Sequence, residues 1–208
     1  CHGANRLGTN SLVDLIVFGR RGGMKIAEYV KGANYVPLPS NPASEIEAEM
    51  NRIRNSNGKT RPGELREKMQ KVMMADVGVF RNATDMQSAL NTIRELRHRF
   101  QTDLTIDDKG QQFNTDLLEA WELGSMLDLA ELTTISALQR TESRGGHSRE
   151  DYQQRDDENW LVHTLVKRPD GMGISAQGDM QPEISVNKKV EMSLAEEDER
   201  FKPKARTY

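Results

Sequence analysis

Ala83-Thr84-Asp85-Met86-Gln87-Ser88-Ala89-Leu90-Asn91-Thr92-Ile93-Arg94-Glu95-Leu96-Arg97-His98-Arg99-Phe100-Gln101 is the stretch that decides the fold. Met86, Leu90, Ile93, Leu96 and Phe100 recur at steps of four, three, three and four, which places them on one face of an α-helix. A helix with one apolar stripe needs neighbours to cover it. Upstream, Pro62 suits a first helical position. Leu65, Met69, Val72 and Met73 then mark a second amphipathic helix that ends near Gly78. Downstream, past a turn at Lys109-Gly110, residues 114–142 predict a long helix with Leu117, Leu118, Trp121, Leu127, Ala130, Thr134 and Leu138 inward. Leu123, Met126, Leu129 and Leu132 widen its apolar face, so it reads as the central helix. The three helices over 62–142 predict an antiparallel bundle. Met69, Met73, Met74 and Met86 read as core filler.

Working outward, Pro42 to Arg54 is a short helix with Ile46, Met50 and Ile53 on one face, closed by Asn55-Ser56-Asn57-Gly58. Residues 33–41, with Pro37 and Pro39, form a connector. Before them, residues 1–10 read as a loop. Ser11 opens a helix, with Asp14 three residues on as a weaker capping box. Leu12-Val13-Asp14-Leu15-Ile16-Val17-Phe18-Gly19 is apolar on most sides, which predicts a buried helix running to about Gly32. Beyond Thr141 the periodicity stops. Ser143 to His147 is a loop, Trp160 to Val166 a strand, and Ile184-Ser185-Val186 and Val190-Glu191-Met192 short strands. The charged tail from Ser193 reads as an arm that needs a partner surface. The fold class is mainly α with a small irregular α+β tail, in three units: 1–41, 42–145 and 146–208.

Of 208 residues, 36% are hydrophobic and 29% charged, so the core is modest and the chain leans on a larger body to bury its apolar faces. The net charge of -3, with both signs mixed, gives no electrostatic case for a nucleic-acid partner. The basic run Arg94 to Arg99 reads as a solvated helix face. A single cysteine, Cys1, excludes an internal disulfide and fits a reducing compartment. No apolar run is long enough to span a membrane, and no signal peptide leads the chain. The chain opens on a Gly-rich turn running straight into a helix, as a piece of a longer protein would.

The densest polar cluster is His2-Gly3-Ala4-Asn5-Arg6-Leu7-Gly8-Thr9-Asn10-Ser11-Leu12. Its glycines allow close backbone approach to a ligand. Arg6 offers a planar fork for a carboxylate. The helix opening at Ser11 aims unsatisfied N–H groups at whatever precedes it. These residues make either an anion-binding corner or a Gly-rich helix cap with a surface arginine. His147 follows a helix end, where Arg and His satisfy carbonyls, and reads as structural. Asp156-Asp157-Glu158 lacks a clustered His or Cys and reads as solvated or Arg-paired, so no metal ligands are assigned.

His2 to Gly8, with Asn10-Ser11-Leu12 and Val17-Phe18-Gly19-Arg20, resembles the last stretch of the FAD domain in the succinate dehydrogenase and fumarate reductase flavoprotein family. Further matches follow in order: Phe113 to Glu119, Glu142 to Arg149, Arg155 to Trp160 with His163-Thr164-Leu165, and the ending Arg206-Thr207-Tyr208. The resemblance runs along essentially the whole chain. Arg155–Leu165 and the ending lean toward the succinate dehydrogenase branch, with fumarate reductase and L-aspartate oxidase as alternatives. A docking module for another subunit, without catalysis, is a third reading.

The resemblance implies that Arg6 clamps a substrate carboxylate beside the flavin and that Asn10, Ser11 and Leu12 lie against the FAD ring. A helix N-terminus suits the negative charge of a reduced flavin near N1 and the C2 carbonyl. His2 and Asn5 shape the same loop, and His147 helps dock the bundle against the FAD domain. No catalytic residue is implied within the chain: the family's FAD-linking histidine and proton-shuttling arginine lie upstream, so the chain alone is expected to be inactive. Implied for the whole subunit are oxidation of succinate to fumarate, electron transfer to an iron–sulphur subunit and quinone, and membrane-anchor subunits in the complex. The implied location is the cytoplasmic side of a bacterial inner membrane, or the matrix side in a mitochondrion.

Overall fold

A computed structural model describes residues 10–167, 183–189, 192–193 and 197–202. The helices α1 (Ser11–Tyr29), α2 (Ser44–Arg54), α3 (Pro62–Asp76), α4 (Ala83–Thr102) and α5 (Thr115–Gln139) make up most of them. Two-residue strands β1 (Phe80–Arg81) and β2 (Ser148–Arg149) pair in parallel. A short α6 (Asp157–Trp160) leads into β3 (Val162–Lys167), which pairs antiparallel with β4 (Glu183–Lys189). Glu199–Phe201 forms a 3-10 turn. The mainly helical fold class with a small strand-bearing tail is as the sequence predicts. Of the predicted strand at 190–192, Val190 and Glu191 lie outside the described residues, as does most of the charged tail.

The bundle is held by α3, α4 and α5, with α2 packed against α5. The core runs through Ile53, Leu65, Ile93, Leu96, Phe100, Leu123 and Leu127, all nearly inaccessible to solvent. Each chain reversal is fixed by polar groups. Asn82 caps α4 by accepting from the Asp85 amide at 2.9 Å. Asn114 caps α5 by accepting from the Leu117 amide at 2.7 Å. At the end away from Asn82, the amides of Gly58 and Thr60 donate to the carbonyls of Leu104 and Asp103 at 2.8 and 2.9 Å, and the Thr105 amide donates to the Thr60 carbonyl at 2.9 Å. A side chain at Gly58 would collide with the Asp103 backbone, so only glycine admits that approach. The start of α3 and the end of α4 therefore meet at one end. The Asp107 and Asp108 amides, donating to Asp116 in the first turn of α5, bring its start there too. α4 runs against α3 and α5, which is the predicted antiparallel order.

Several expectations need correction. α1 ends at Tyr29 and has no buried residue: Leu12 is 73% and Ile16 72% exposed. The apolar sequence does form a helix, but no described element lies over it. Asn10, not Ser11, is its N-cap residue, and the Asn10 side chain makes no capping bond. In α5, Leu118 and Leu129 point outward, because the neighbouring helices do not wrap the full circumference. Met74 is exposed at the end of α3, while Met69 and Met86 are buried. The run Arg94–Arg99 is not a solvated face: Arg97 is buried, donating to Glu131 at 2.7 Å and to Asp128 at 2.9 Å. Arg94 donates to the other Glu131 oxygen at 2.9 Å. The predicted strand from Trp160 begins two residues later, since Asp156 caps α6 through the Glu158 and Asn159 amides.

Candidate functional site

Two places bear on the residues singled out from the sequence. The first is the start of α1. Arg6, His2 and Asn5 lie outside the described residues. Of the predicted site, the structure describes Asn10, Ser11 and Leu12. Asn10 takes a helical conformation and its carbonyl accepts the first helical bond, from the Asp14 amide at 2.9 Å. With no capping bond from Asn10, the first-turn amides keep the donor character and positive end of a 19-residue helix. Leu12, exposed beside them, adds an apolar surface. Donors next to an apolar side chain are what a polar-edged aromatic ring requires.

The second place is the segment 140–160, which folds back on the bundle. Gly145 takes φ 56°, a left-handed conformation suited to glycine, and lets Arg144 and His147 exchange backbone bonds at 2.8 and 2.9 Å. The fully buried Glu142 accepts from Arg140, from Arg144 at 2.8 and 3.0 Å, and from the Asp156 amide at 2.9 Å. Arg140 also reaches the carbonyls of Trp160 at 3.0 Å and Val162 at 2.5 Å, and lies over the Trp160 ring. Arg144 and Arg155 bind Asp157, which is thus arginine-paired, while Asp156 caps α6 and Glu158 is solvent-exposed, within the expected solvated or arginine-paired reading.

Arg149, 1% exposed, donates to the carbonyls of Ala137, Leu138 and Arg140 at 3.0–3.1 Å and grips Asp151 with two bonds at 2.7 Å. Its guanidinium closes the C-terminus of α5, where the helix dipole favours a cation. His147 bridges two helix ends. Its Nε2 donates to the Arg140 carbonyl at 3.0 Å. Its Nδ1 accepts from Arg81 at 2.8 Å. Arg81 in turn donates to the Val77 and Gly78 carbonyls past the end of α3. Since a guanidinium cannot accept, the tautomer is fixed with the proton on Nε2. Burial and the charges of Arg81, Arg149 and Arg140 hold His147 below the ordinary imidazole value, against the upward pull of its bond to the Arg140 carbonyl. The structural reading of His147 is right for its carbonyl bond. The roles of Arg81, Arg140, Glu142 and Arg149 were missed.

The family model described as fumarate reductase flavoprotein C-term matches residues 66–208, from α3 to the end of the chain. The chain belongs to this family. Among curated relatives, a succinate dehydrogenase flavoprotein subunit of Rickettsia conorii is 46% identical over 167 residues, covering 79% of this chain and 28% of the relative. A mitochondrial succinate dehydrogenase [ubiquinone] flavoprotein subunit of Oryza sativa is 36% identical across 100% of this chain and 31% of the relative. Among solved structures, a quinol-fumarate reductase with menaquinol molecules aligns with TM-score 0.76 and 36% identity, over 90% of this chain and 32% of that one. The chain thus spans less than a third of the length of these relatives. The 140–160 fold-back lies within the part that the flavoprotein family model matches, whereas α1 and α2 precede it. Among the described residues no helix is long and apolar enough to cross a membrane.

Proposed function

We propose that this chain is the C-terminal part of a succinate dehydrogenase flavoprotein subunit, whose complete form oxidises succinate to fumarate with FAD. The observation that supports it best is the likeness to relatives of that name, with the rice protein 36% identical over the whole of this chain. Electrons pass on to an iron–sulphur subunit and quinone, with membrane-anchor subunits completing the complex. In a bacterium the subunit sits at the cytoplasmic face of the inner membrane, and in a mitochondrion at the matrix face.

The described residues fit FAD at the start of α1. The uncapped amides around Ser11 supply donors, and Leu12 supplies an apolar contact for the ring. Asn10 stands at the turn into that helix. A flavin bound there supplies a two-electron acceptor for a dicarboxylate. Arg6, four residues before Asn10, holds a substrate carboxylate and orients it toward the ring. The residues that move the proton and link the flavin are proposed to belong to the upstream part of the subunit. The bundle, which closes its own hydrophobic core, serves as a docking body for the rest of the complex.

The experiment is Arg6→Ala in the complete subunit, assayed with succinate. Loss of a charge-assisted carboxylate bond costs about 1.5–3 kcal/mol, so kcat/KM should fall roughly ten- to a hundredfold. Unchanged succinate affinity and turnover would remove Arg6 from the site. A fumarate reductase is the second reading, favoured by the 36% identity to the quinol-fumarate reductase structure. Assay of the complete enzyme with succinate, fumarate and L-aspartate separates it, and an L-aspartate oxidase, from the first.

A further inference from the structure

α3 and α5 end side by side, and both ends are closed by arginines from outside the helices. Arg81 of β1 holds the carbonyls of Val77 and Gly78. Arg149 of β2 holds those of Ala137, Leu138 and Arg140. The two strands meet only as a two-residue parallel pair, Phe80 with Ser148 and Arg81 with Arg149. So short a ladder is weak on its own. Side-chain links across it are His147, half-buried between Arg81 and the Arg140 carbonyl, and Asp151, which accepts from the Ala83 amide at 2.9 Å.

We propose that His147 is an acid-sensitive clasp: neutral, it ties the 144–147 turn to the ends of α3 and α5, and protonated, it releases that turn while Arg149 and the bundle stay in place. The geometry makes the link depend on one proton. Nδ1 is the acceptor for the Arg81 Nη1 donor at 2.8 Å. A proton placed there turns an attraction into a contact between two donors. The charges that face the ring are Arg81 from β1, Arg149 from β2 and Arg140 from the end of α5. The nearby acids are already engaged, Asp151 by Arg149 and Glu142 by Arg140 and Arg144. The α5 dipole would favour a cation, but Arg149 occupies its last carbonyls. An imidazolium at this site is therefore buried among three guanidiniums without a carboxylate of its own.

The sign follows. His147 is held below the ordinary 6.5 in the folded chain by burial and these arginines. The unfolded loop then binds more protons, so the clasp is intact above the ordinary value and is lost as pH falls beneath it. Among the described residues of the bundle core, Arg97 is instead buried against the carboxylates of Glu131 and Asp128, with no imidazole in the link.

Hydrogen exchange on the full chain tests this, with rates corrected for the intrinsic pH dependence of exchange. Between neutral pH and about pH 5, protection of the Arg144 and His147 amides should fall severalfold, while Ile93 and Leu123 amides keep theirs. His147→Gln, neutral throughout and able to donate and accept, should keep the loop protected at both pH values. Arg81→Met should loosen the loop at neutral pH and shrink the acid response, which keeps the test decisive if His147→Gln folds poorly. The His147 ring proton shift, followed by NMR, should titrate with a midpoint below that of a free imidazole. A loop equally protected at both pH values, an equal acid loss in His147→Gln, or a loss shared by Ile93 and Leu123 overturns the proposal.

Discussion

Arg149 is a charge placed inside the protein, and it is tolerated because each of its three guanidinium nitrogens has a partner. Three carbonyls at the end of α5 and both oxygens of Asp151 surround it. Desolvating a cation is costly unless the pairing is complete. Asp151 registers the other half of the arrangement: the Arg149 hydrogen bonds, aided by the Ala83 amide, lower it to about 2 from the ordinary 3.8. Its contribution to stability is present above 3.8 and is lost as pH falls toward about 2. Arg149→Lys replaces the planar fork with a point charge that cannot span both groups. The Asp151 carboxyl should then titrate closer to its ordinary value, and the chain should lose about 1–3 kcal/mol. Carboxyl NMR across acid pH checks the first and urea unfolding the second. An unmoved Asp151 midpoint would sink the pairing. None of this is visible in the letters around position 149, where a buried arginine looks the same as a surface one. His147 was legible as a carbonyl partner because it follows a helix end. Its second bond was not, since Arg81 lies 66 residues away.

Helices were the most legible level. The four-three-three-four steps of α4 gave its length and its buried face; the cap Asn82 stands just before the predicted start of α4, and the cap Asn114 is the predicted first residue of α5, which begins one residue later. α5 was read too long because Arg140 and Thr141 do not interrupt the pattern, while Arg149 ends the helix from a distance. The basic run on α4 was misread, yet a signal was present. Arg97 sits four residues after Ile93 and three before Phe100, inside the apolar stripe. Glu131 sits four after Leu127 and four before Ile135 on α5. Two opposite charges at stripe positions on adjacent helices are better matched with each other than with water. Glu131→Leu leaves Arg97 buried without its main partner and should cost about 3–5 kcal/mol. Replacing both, Arg97→Met with Glu131→Leu, should recover most of that loss. Urea denaturation of the two single variants and the double decides it. If the losses simply add, the two charges are not coupled and the α4–α5 contact owes nothing to them.

At the scale of the whole molecule, α1 is where sequence and structure part. Its composition is that of a covered helix, and its helical state is as predicted. The cover is what the sequence could not supply, because it depends on atoms that no described element provides. Leu12, Leu15, Ile16 and Tyr29 all stand in solvent, next to a bundle whose core is already closed without them. Two consequences follow from that separation. In this chain, Leu15→Glu with Ile16→Glu should leave unfolding of the bundle unchanged to within about 0.5 kcal/mol, as for surface substitutions. The same change should lower self-association, since exposed apolar patches drive it. In the complete subunit proposed above, where the upstream part covers α1, the pair should instead cost several kcal/mol, because each buried leucine or isoleucine is worth about 2–5 kcal/mol against truncation. Sedimentation velocity and urea unfolding on both proteins measure the contrast. A large loss in the short chain would mean that α1 packs on the bundle after all. No loss in the complete subunit would mean that nothing upstream covers it, and the assignment of this helix to a flavin-bearing domain would fall with it.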